Sequence, residues 1–168
     1  MDNPLIQIAH NIAVLSHADQ KYGDKPYMYH ILGVVKNITE GINRISSAID
    51  ISDEERTRSI CLAYLHDVIE DCPDFNHNTL IDTFGKDLFD QLCLLSHGDE
   101  SYSQYLYNLS TDQECCMVKA ADLLFNIEHS KKEKSGYAKQ RLAKYQLALM
   151  YLQERCICVY RMTHHLVP

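Results

Sequence analysis

Apolar residues recur along this chain at spacings of three and four, the period of one face of an α-helix. Leu5, Ile8, Ile12 and Leu15 form one such stripe, and Ile31, Val34, Val35 and Ile38 a second, beyond the turn-forming segment "YGDKPY". Ser52 followed three residues later by Glu55 has the form of a capping box, which opens a third helix predicted to run to Pro73. A fourth begins near Thr79 within "NTLIDTFGKDLFDQLCLLSH", with a break predicted at Gly85. "SYSQYLYNL" predicts a short helix, and "DQECCMVKAADLLFNIEHSKK" and "YAKQRLAKYQLALMYLQERCICVY" predict two long ones. No run of alternating β-branched residues competes with them. The pattern predicts an all-α fold, a single-domain bundle of about seven helices over residues 1–168, with no internal repeat and no long linker.

Composition bounds what such a bundle can be. At 168 residues and 46% hydrophobic content the chain is long enough for one substantial core. No basic leader precedes an apolar run at the start, and no window reaches the roughly 18 uninterrupted apolar residues of a membrane span. A cytoplasmic protein without a membrane partner is the expectation. The seven cysteines form no C-x-x-C pair or regular framework, which predicts reduced, mostly buried thiols. A net charge of −7 argues against general nucleic-acid binding, which needs a basic surface, but allows a small anionic substrate held by a few cations or a metal. Lys131, Lys132 and Lys134 read as a solvated helix end. The sequence leaves the oligomeric state open.

One stretch breaks the pattern. In "AYLHDVIED", residues His66, Asp67, Glu70 and Asp71 sit among Leu62, Leu65, Val68 and Ile69, so an apolar helix carries four groups that are costly to bury uncompensated. His66 shares a helix face with Glu70, and Asp67 is a face neighbour of Glu70 and of Asp71 in turn, whereas adjacent His66 and Asp67 are rotated by about 100°. They converge on one ion only if it lies between their faces and partners come from elsewhere. His30, early in the second helix, and Asp122, an acid inside the apolar "VKAADLLFNIEH", are the candidates. Taken singly, each reads as an ordinary buried polar residue. Together, two imidazoles and two carboxylates make a mixed nitrogen and oxygen site suited to Mn²⁺, Fe²⁺ or Zn²⁺.

These residues carry a resemblance. "SHADQKYGDKPYMYH", "AYLHDVIED" and "VKAADLLFNIEH" look like the signature segments of the HD-domain phosphohydrolases, in particular the RelA/SpoT-like branch that includes small stand-alone alarmone hydrolases. The "FG" turn and the "ESY" segment between them are similar to that branch too, and the likeness extends over roughly residues 5–150. The resemblance implies an HD-type helical bundle and one divalent ion, commonly manganese, held by His30, His66, Asp67 and Asp122. It further implies that Glu70 and Asp71 position and activate the attacking water, and that Asn126 contacts a base. The implied activity is removal of the 3′ pyrophosphate from guanosine tetra- or pentaphosphate.

The likeness is incomplete where substrate would be read. That family usually carries an Arg-Lys pair in the first motif; here the segment is shorter, with Lys21 and Tyr22 and no arginine. Tyr22 becomes a candidate to stack on a base, and Lys21 or Lys25 a candidate for phosphate. Ile31 follows His30 where the family has proline. Arg141 and Lys144, in "RLAKYQLAL", are further candidates for substrate phosphates. His77 and His97 are weaker candidates for a second metal, and His164 and His165 belong to a tail with no expected role. The chain ends at Pro168 with no room for a synthetase domain, so hydrolysis alone is expected. The departures keep two alternatives open: hydrolysis of another nucleotide, such as a 5′-nucleotide, NADPH or a nucleoside triphosphate, and a silent nucleotide-binding regulatory module.

Overall fold

The computed structural model describes residues 3–133 and 136–164; Lys134 and His165 lie outside them. The fold is all-α, and among the described residues it comprises ten helices and one two-stranded hairpin. No helix among them is long and apolar enough to cross a membrane. Three interruptions raise the count above seven: one at His66–Asp67, one at Gly85 and one at Cys156. Only the glycine break is written in the hydrophobic pattern. Gly85 adopts φ +85°, a conformation that an L side chain rarely tolerates.

Helix α1 (Pro4–Ser16) leads through a hairpin, β1 (Lys21–Tyr22) paired antiparallel with β2 (Lys25–Pro26), into α2 (Met28–Ile45). The expected α2 stripe is the core: Ile31, Val34 and Ile38 are fully buried, continued by Ile42 and Ile45. The expected α1 stripe is not. Leu5 and Ile8 are about two-fifths exposed and Leu15 is 77% exposed, while Ala9 and Ala13 are buried. Small residues let this helix lie close against α3 (Asp53–Leu65), which places the larger aliphatics outside.

The capping box forms as expected. Ser52 Oγ accepts from the Glu55 amide at 3.2 Å, and Glu55 Oε2 accepts from the Ser52 amide at 2.8 Å. Ser59 through Leu65 are all buried, so α3 enters the core with no solvent face. It does not run unbroken to Pro73. It ends at Leu65, and Asp67, at φ −99° and ψ −4°, leads into the single turn α4 (Val68–Asp71). That backbone region is sparsely populated and recurs at functional residues.

Helices α5 (Asn78–Phe84), α6 (Lys86–Leu95) and α7 (Tyr102–Leu109) wrap one side. The long α8 (Gln113–Lys132) then crosses α2, with α9 (Gly136–Arg155) and α10 (Ile157–Thr163) packed over it. Six of the seven cysteines are buried free thiols, and Cys93 is exposed. The buried middle of α8, from Val118 to Leu123, brings Asp122 beside the first turn of α2 and the end of α3.

Candidate metal centre and cleft

His30, on the first turn of α2, points Nε2 at three donors. His66 Nε2 lies 3.3 Å away, Asp67 Oδ2 3.3 Å and Asp122 Oδ1 3.4 Å; Asp67 Oδ2 is also 3.1 Å from His66 Nε2. His66 and Asp67 both keep right-handed helical dihedrals where α3 passes into α4, so the cluster lies between their two adjacent faces. His66 Nδ1 donates to the Ala63 carbonyl at 2.9 Å, which fixes the tautomer and leaves Nε2 directed inward. His30, His66 and Asp122 are buried, and Asp67 keeps 18% of its side chain accessible.

Four of the six separations among these donors have the spacing of a coordination shell. With donor-to-metal bonds of about 2.1 Å, neighbouring donors stand about 3.0 Å apart on an octahedron and about 3.4 Å apart on a tetrahedron. The separations of 3.1 to 3.4 Å lie within that interval. Ligand atoms of His30, His66 and Asp122 are all within 4.8 Å of one another, and Asp67 touches both rings. Among the described residues His30 Nδ1 is buried without a hydrogen-bond partner, and rings pack around it. The set fits one divalent cation.

The electrostatics agree. Burial alone would lower the basicity of His66, but the Asp67 carboxylate outweighs it and pushes the pKa up to about 9. Burial would raise Asp67; the two histidines overcome that and hold it well below the usual carboxylate range. Asp122, also buried, is held low chiefly by the Lys119 ammonium 2.8 Å from Oδ2. The cluster is built to attract positive charge.

Around it stand residues that hold the ligands. Tyr27 Oη lies 2.8 Å from both Asp67 Oδ2 and Asp71 Oδ2, and burial with these two acids pushes its pKa far up, so the phenol keeps its proton. His17 stacks on Tyr27 at 4.7 Å and bonds Gln20, whose amide donates to the Asp71 carbonyl at 2.8 Å. Asn126 Nδ2 donates to Asp122 Oδ1 at 2.5 Å, and Tyr22 Oη donates to Asn126 Oδ1 at 2.6 Å. The Tyr22 ring lies parallel to His30, 5.0 Å away and 7° from coplanar. Tyr22 and Asn126, read from the sequence as base contacts, are thus engaged with each other and with two of the four donors.

Phe125 completes the support, edge-on to His30 at 5.1 Å. It fits because position 33 has no side chain: a Cβ on Gly33 would overlap the Phe125 ring. Gly33→Ala is therefore expected to lower stability by about 1–3 kcal/mol through overpacking and to weaken metal uptake by displacing His30. Chemical denaturation and a metal titration of the variant check both effects.

Three of the donors, His30, Asp67 and Asp122, line a polar cleft of roughly 340 Å³, which also includes Glu70, Asp71, His97, Lys119, Lys144 and Tyr145. Glu70 Oε2 accepts from the His97 amide at 2.9 Å, and His97 Nε2 donates to the Glu100 carbonyl at 3.1 Å, tying the acid to the loop before α7. Lys144 lies over the Tyr102 ring, 3.9 Å from its centre. Other sequence candidates lie outside. Lys21 and Lys25 are exposed on the hairpin, Lys25 beside Asp24 at 3.4 Å, and Arg141 is bonded to Glu133; none of the three lines the cleft. His77 sits near Phe89, away from the donors.

Sequence reasoning missed Tyr27 and Lys119. Lys119 carried a weak signal in its spacing, three residues before Asp122 on one helix face, whereas the partners of Tyr27, Asp67 and Asp71, lie 40 and 44 positions away.

No protein-family model matches the chain, and no curated protein matches it in sequence. Among solved structures it is similar to one described as a metazoan ortholog of SpoT that hydrolyzes ppGpp and plays a role in starvation responses. The two agree with a TM-score of 0.71 and 17% sequence identity, over 98% of this chain and 97% of that one. At that identity the likeness is one of fold, and this chain has the all-helical HD-type fold.

Proposed function

We propose that this protein is a metal-dependent nucleotide phosphohydrolase, with guanosine 3′-pyrophosphate alarmones as the favoured substrate. The observation that carries the reaction type is the convergence of two imidazoles and two carboxylates, three of which line a cleft that also holds Glu70, Lys119 and Lys144. The described activity of the structural neighbour and the motif order support the choice of alarmone.

His30, His66, Asp67 and Asp122 would hold the ion, of which Mn²⁺ is the favoured identity and Fe²⁺ or Zn²⁺ the alternatives. Such an ion neutralises charge at the phosphoryl group and acidifies water. Glu70, fixed by the His97 amide, takes the proton of the attacking water on its free carboxylate oxygen. Asp71, held by Tyr27, orients that water and steadies the Asp67 side of the cluster. Lys119 and Lys144 offset phosphate charge. The bond from phosphorus to the ribose 3′ oxygen breaks, that oxygen gains a proton, and pyrophosphate departs.

Chromatography of the products tests this directly. The manganese-loaded protein is expected to convert guanosine tetraphosphate to equimolar GDP and pyrophosphate. An alarmone left intact while another nucleotide in a panel releases phosphate would move the substrate to that nucleotide. One observation favours such a second reading: Tyr22 and Asn126 are already hydrogen-bonded to each other, which changes the surface offered to a base.

Metal loading should depend on pH. The folded-state pKa of His66, about 9, stands above its ordinary 6.5. In the metal-free protein its protonation therefore contributes stability that is complete below about 6.5 and is lost as pH rises through about 9. The ion requires the unprotonated ring. Apparent metal affinity should thus rise by about tenfold per pH unit for this one proton as pH climbs toward about 9, and then level off. Chelator competition at several pH values measures it, and a pH-independent affinity would remove His66 from the ligand set.

A further inference from the structure

His17, the residue that caps the end of α1, keeps only 2% of its surface exposed and is the one buried histidine outside the metal donors among the described residues. Its ring lies 4.7 Å from that of Tyr27 and 19° from parallel, and its Nδ1 lies 2.7 Å from Gln20 Oε1. Gln20 in turn donates from Nε2 to the Asp71 carbonyl at 2.8 Å. That direction fixes the protons. With the amide reversed, two carbonyl oxygens would face each other, so Gln20 Oε1 accepts and His17 Nδ1 carries the hydrogen. Nε2 is then a bare acceptor, buried with no partner among the described residues. A nitrogen left so costs free energy. A phenylalanine would avoid that cost and keep the stack on Tyr27, but it has no N–H for Gln20.

Both contacts lead to Asp71. Tyr27 Oη reaches its side chain at 2.8 Å, and Gln20 reaches its main chain. Helix α4 is too short to hold that residue alone: it is a single turn, and Asp71 stands at its C-terminal end, where helix carbonyls lack partners within the helix. We infer that His17 is a positioning residue for the hydrolysis, setting Asp71 by its side chain through Tyr27 and by its main chain through Gln20. The inference rests on the phosphohydrolase reading, in which Asp71 orients the attacking water. The two arms differ in reach. The Gln20 arm ends on Asp71 and the adjoining Cys72 thiol, whereas Tyr27 also touches the metal donor Asp67. Loss of the N–H alone should therefore slow turnover without loosening the ion, and loss of the ring should do both.

The test compares His17→Phe, Gln20→Met, the double variant and His17→Ala, each in the full-length, manganese-loaded protein. His17→Phe should keep or raise the midpoint of denaturation, because the unpartnered nitrogen goes with it. It should lower kcat by about tenfold and leave KM and Mn²⁺ affinity within about threefold. It should also speed exchange of the Asp71 and Cys72 amides, which bond within the turn of α4, and leave α3 unchanged. Gln20→Met should reproduce the kcat and exchange changes, and the double variant should lose no more than either alone, as for two links of one chain. His17→Ala should in addition weaken Mn²⁺ by about tenfold or more. Full kcat in His17→Phe, losses that multiply in the double variant, or exchange that quickens throughout the protein would overturn the inference. Should His17→Phe fold poorly, Gln20→Met carries the same test from a half-buried position. Exchange is read whether or not nucleotide is cleaved. If the unaltered protein cleaves none while α4 alone exchanges faster in both variants, the hold on Asp71 stands and the proposed function fails.

Discussion

His66→Ala is expected to yield a folded protein that takes up no stoichiometric divalent ion and turns over no nucleotide. The ring supplies the donor that touches both His30 Nε2 and Asp67 Oδ2, and its tautomer is fixed by the Ala63 carbonyl. Its removal leaves three donors and a void where the shell was closed. Loss even of a group that merely supports a metal ligand costs about 10–100-fold in affinity, and loss of the ligand itself costs more. Turnover should fall by about 10³-fold or more, because the ion contributes several kcal/mol of charge stabilisation and each 1.36 kcal/mol is tenfold in rate. Asp67→Ala should behave in the same way. Helical content by circular dichroism must stay close to that of the unaltered protein for the result to count.

Glu70→Gln is expected to do the opposite on metal and the same on rate. Its carboxylate lies in the cleft, and one oxygen already accepts the His97 amide. Glutamine keeps an acceptor for that amide, so the loop before α7 stays in place while the base is lost. The variant should bind one equivalent of metal and leave KM within a few-fold. Its kcat should fall by about 10²–10⁴-fold, the usual contribution of a positioned acid–base group. Retention of more than about a tenth of kcat would pass the role to Asp71, and loss of metal would make Glu70 a ligand. Glu70→Ala should lose as much kcat and also free the His97 loop, which separates the two functions of the side chain.

The elements that the sequence announced are those fixed by local chemistry. The Ser52 and Glu55 cap, the Gly85 break and the buried face of α2 follow from residues within one turn of each other. The face of α1 did not, because close approach to α3 selects Ala9 and Ala13 over larger neighbours, and that preference depends on a partner helix that periodicity cannot see. The break at His66–Asp67 is hidden for a related reason: its flanks are apolar on both sides, so the hydrophobic pattern runs straight through it.

The same division holds in the cleft. His30, His66, Asp67 and Asp122 stood out as costly polar groups in apolar runs. Tyr27 did not, since a tyrosine at a helix start is unremarkable until its distant partners are known, and Lys119 gained meaning only once Asp122, three residues on, had been singled out. Tyr22 is the instructive case. Its ring covers His30 and its hydroxyl reaches Asn126 across 104 positions of sequence, a link that only the folded chain supplies.

The proposed function requires one ion, held by His30, His66, Asp67 and Asp122, for phosphate chemistry in this cleft. Titration of chelator-stripped protein with Mn²⁺, with bound metal and nucleotide hydrolysis recorded on the same samples, tests it most directly. The predicted result is saturation at one equivalent, with hydrolysis rising in proportion to occupancy and His66→Ala showing neither. Hydrolysis by the stripped protein at an undiminished rate, or no uptake of Mn²⁺, Fe²⁺ or Zn²⁺ by the unaltered chain, would contradict it.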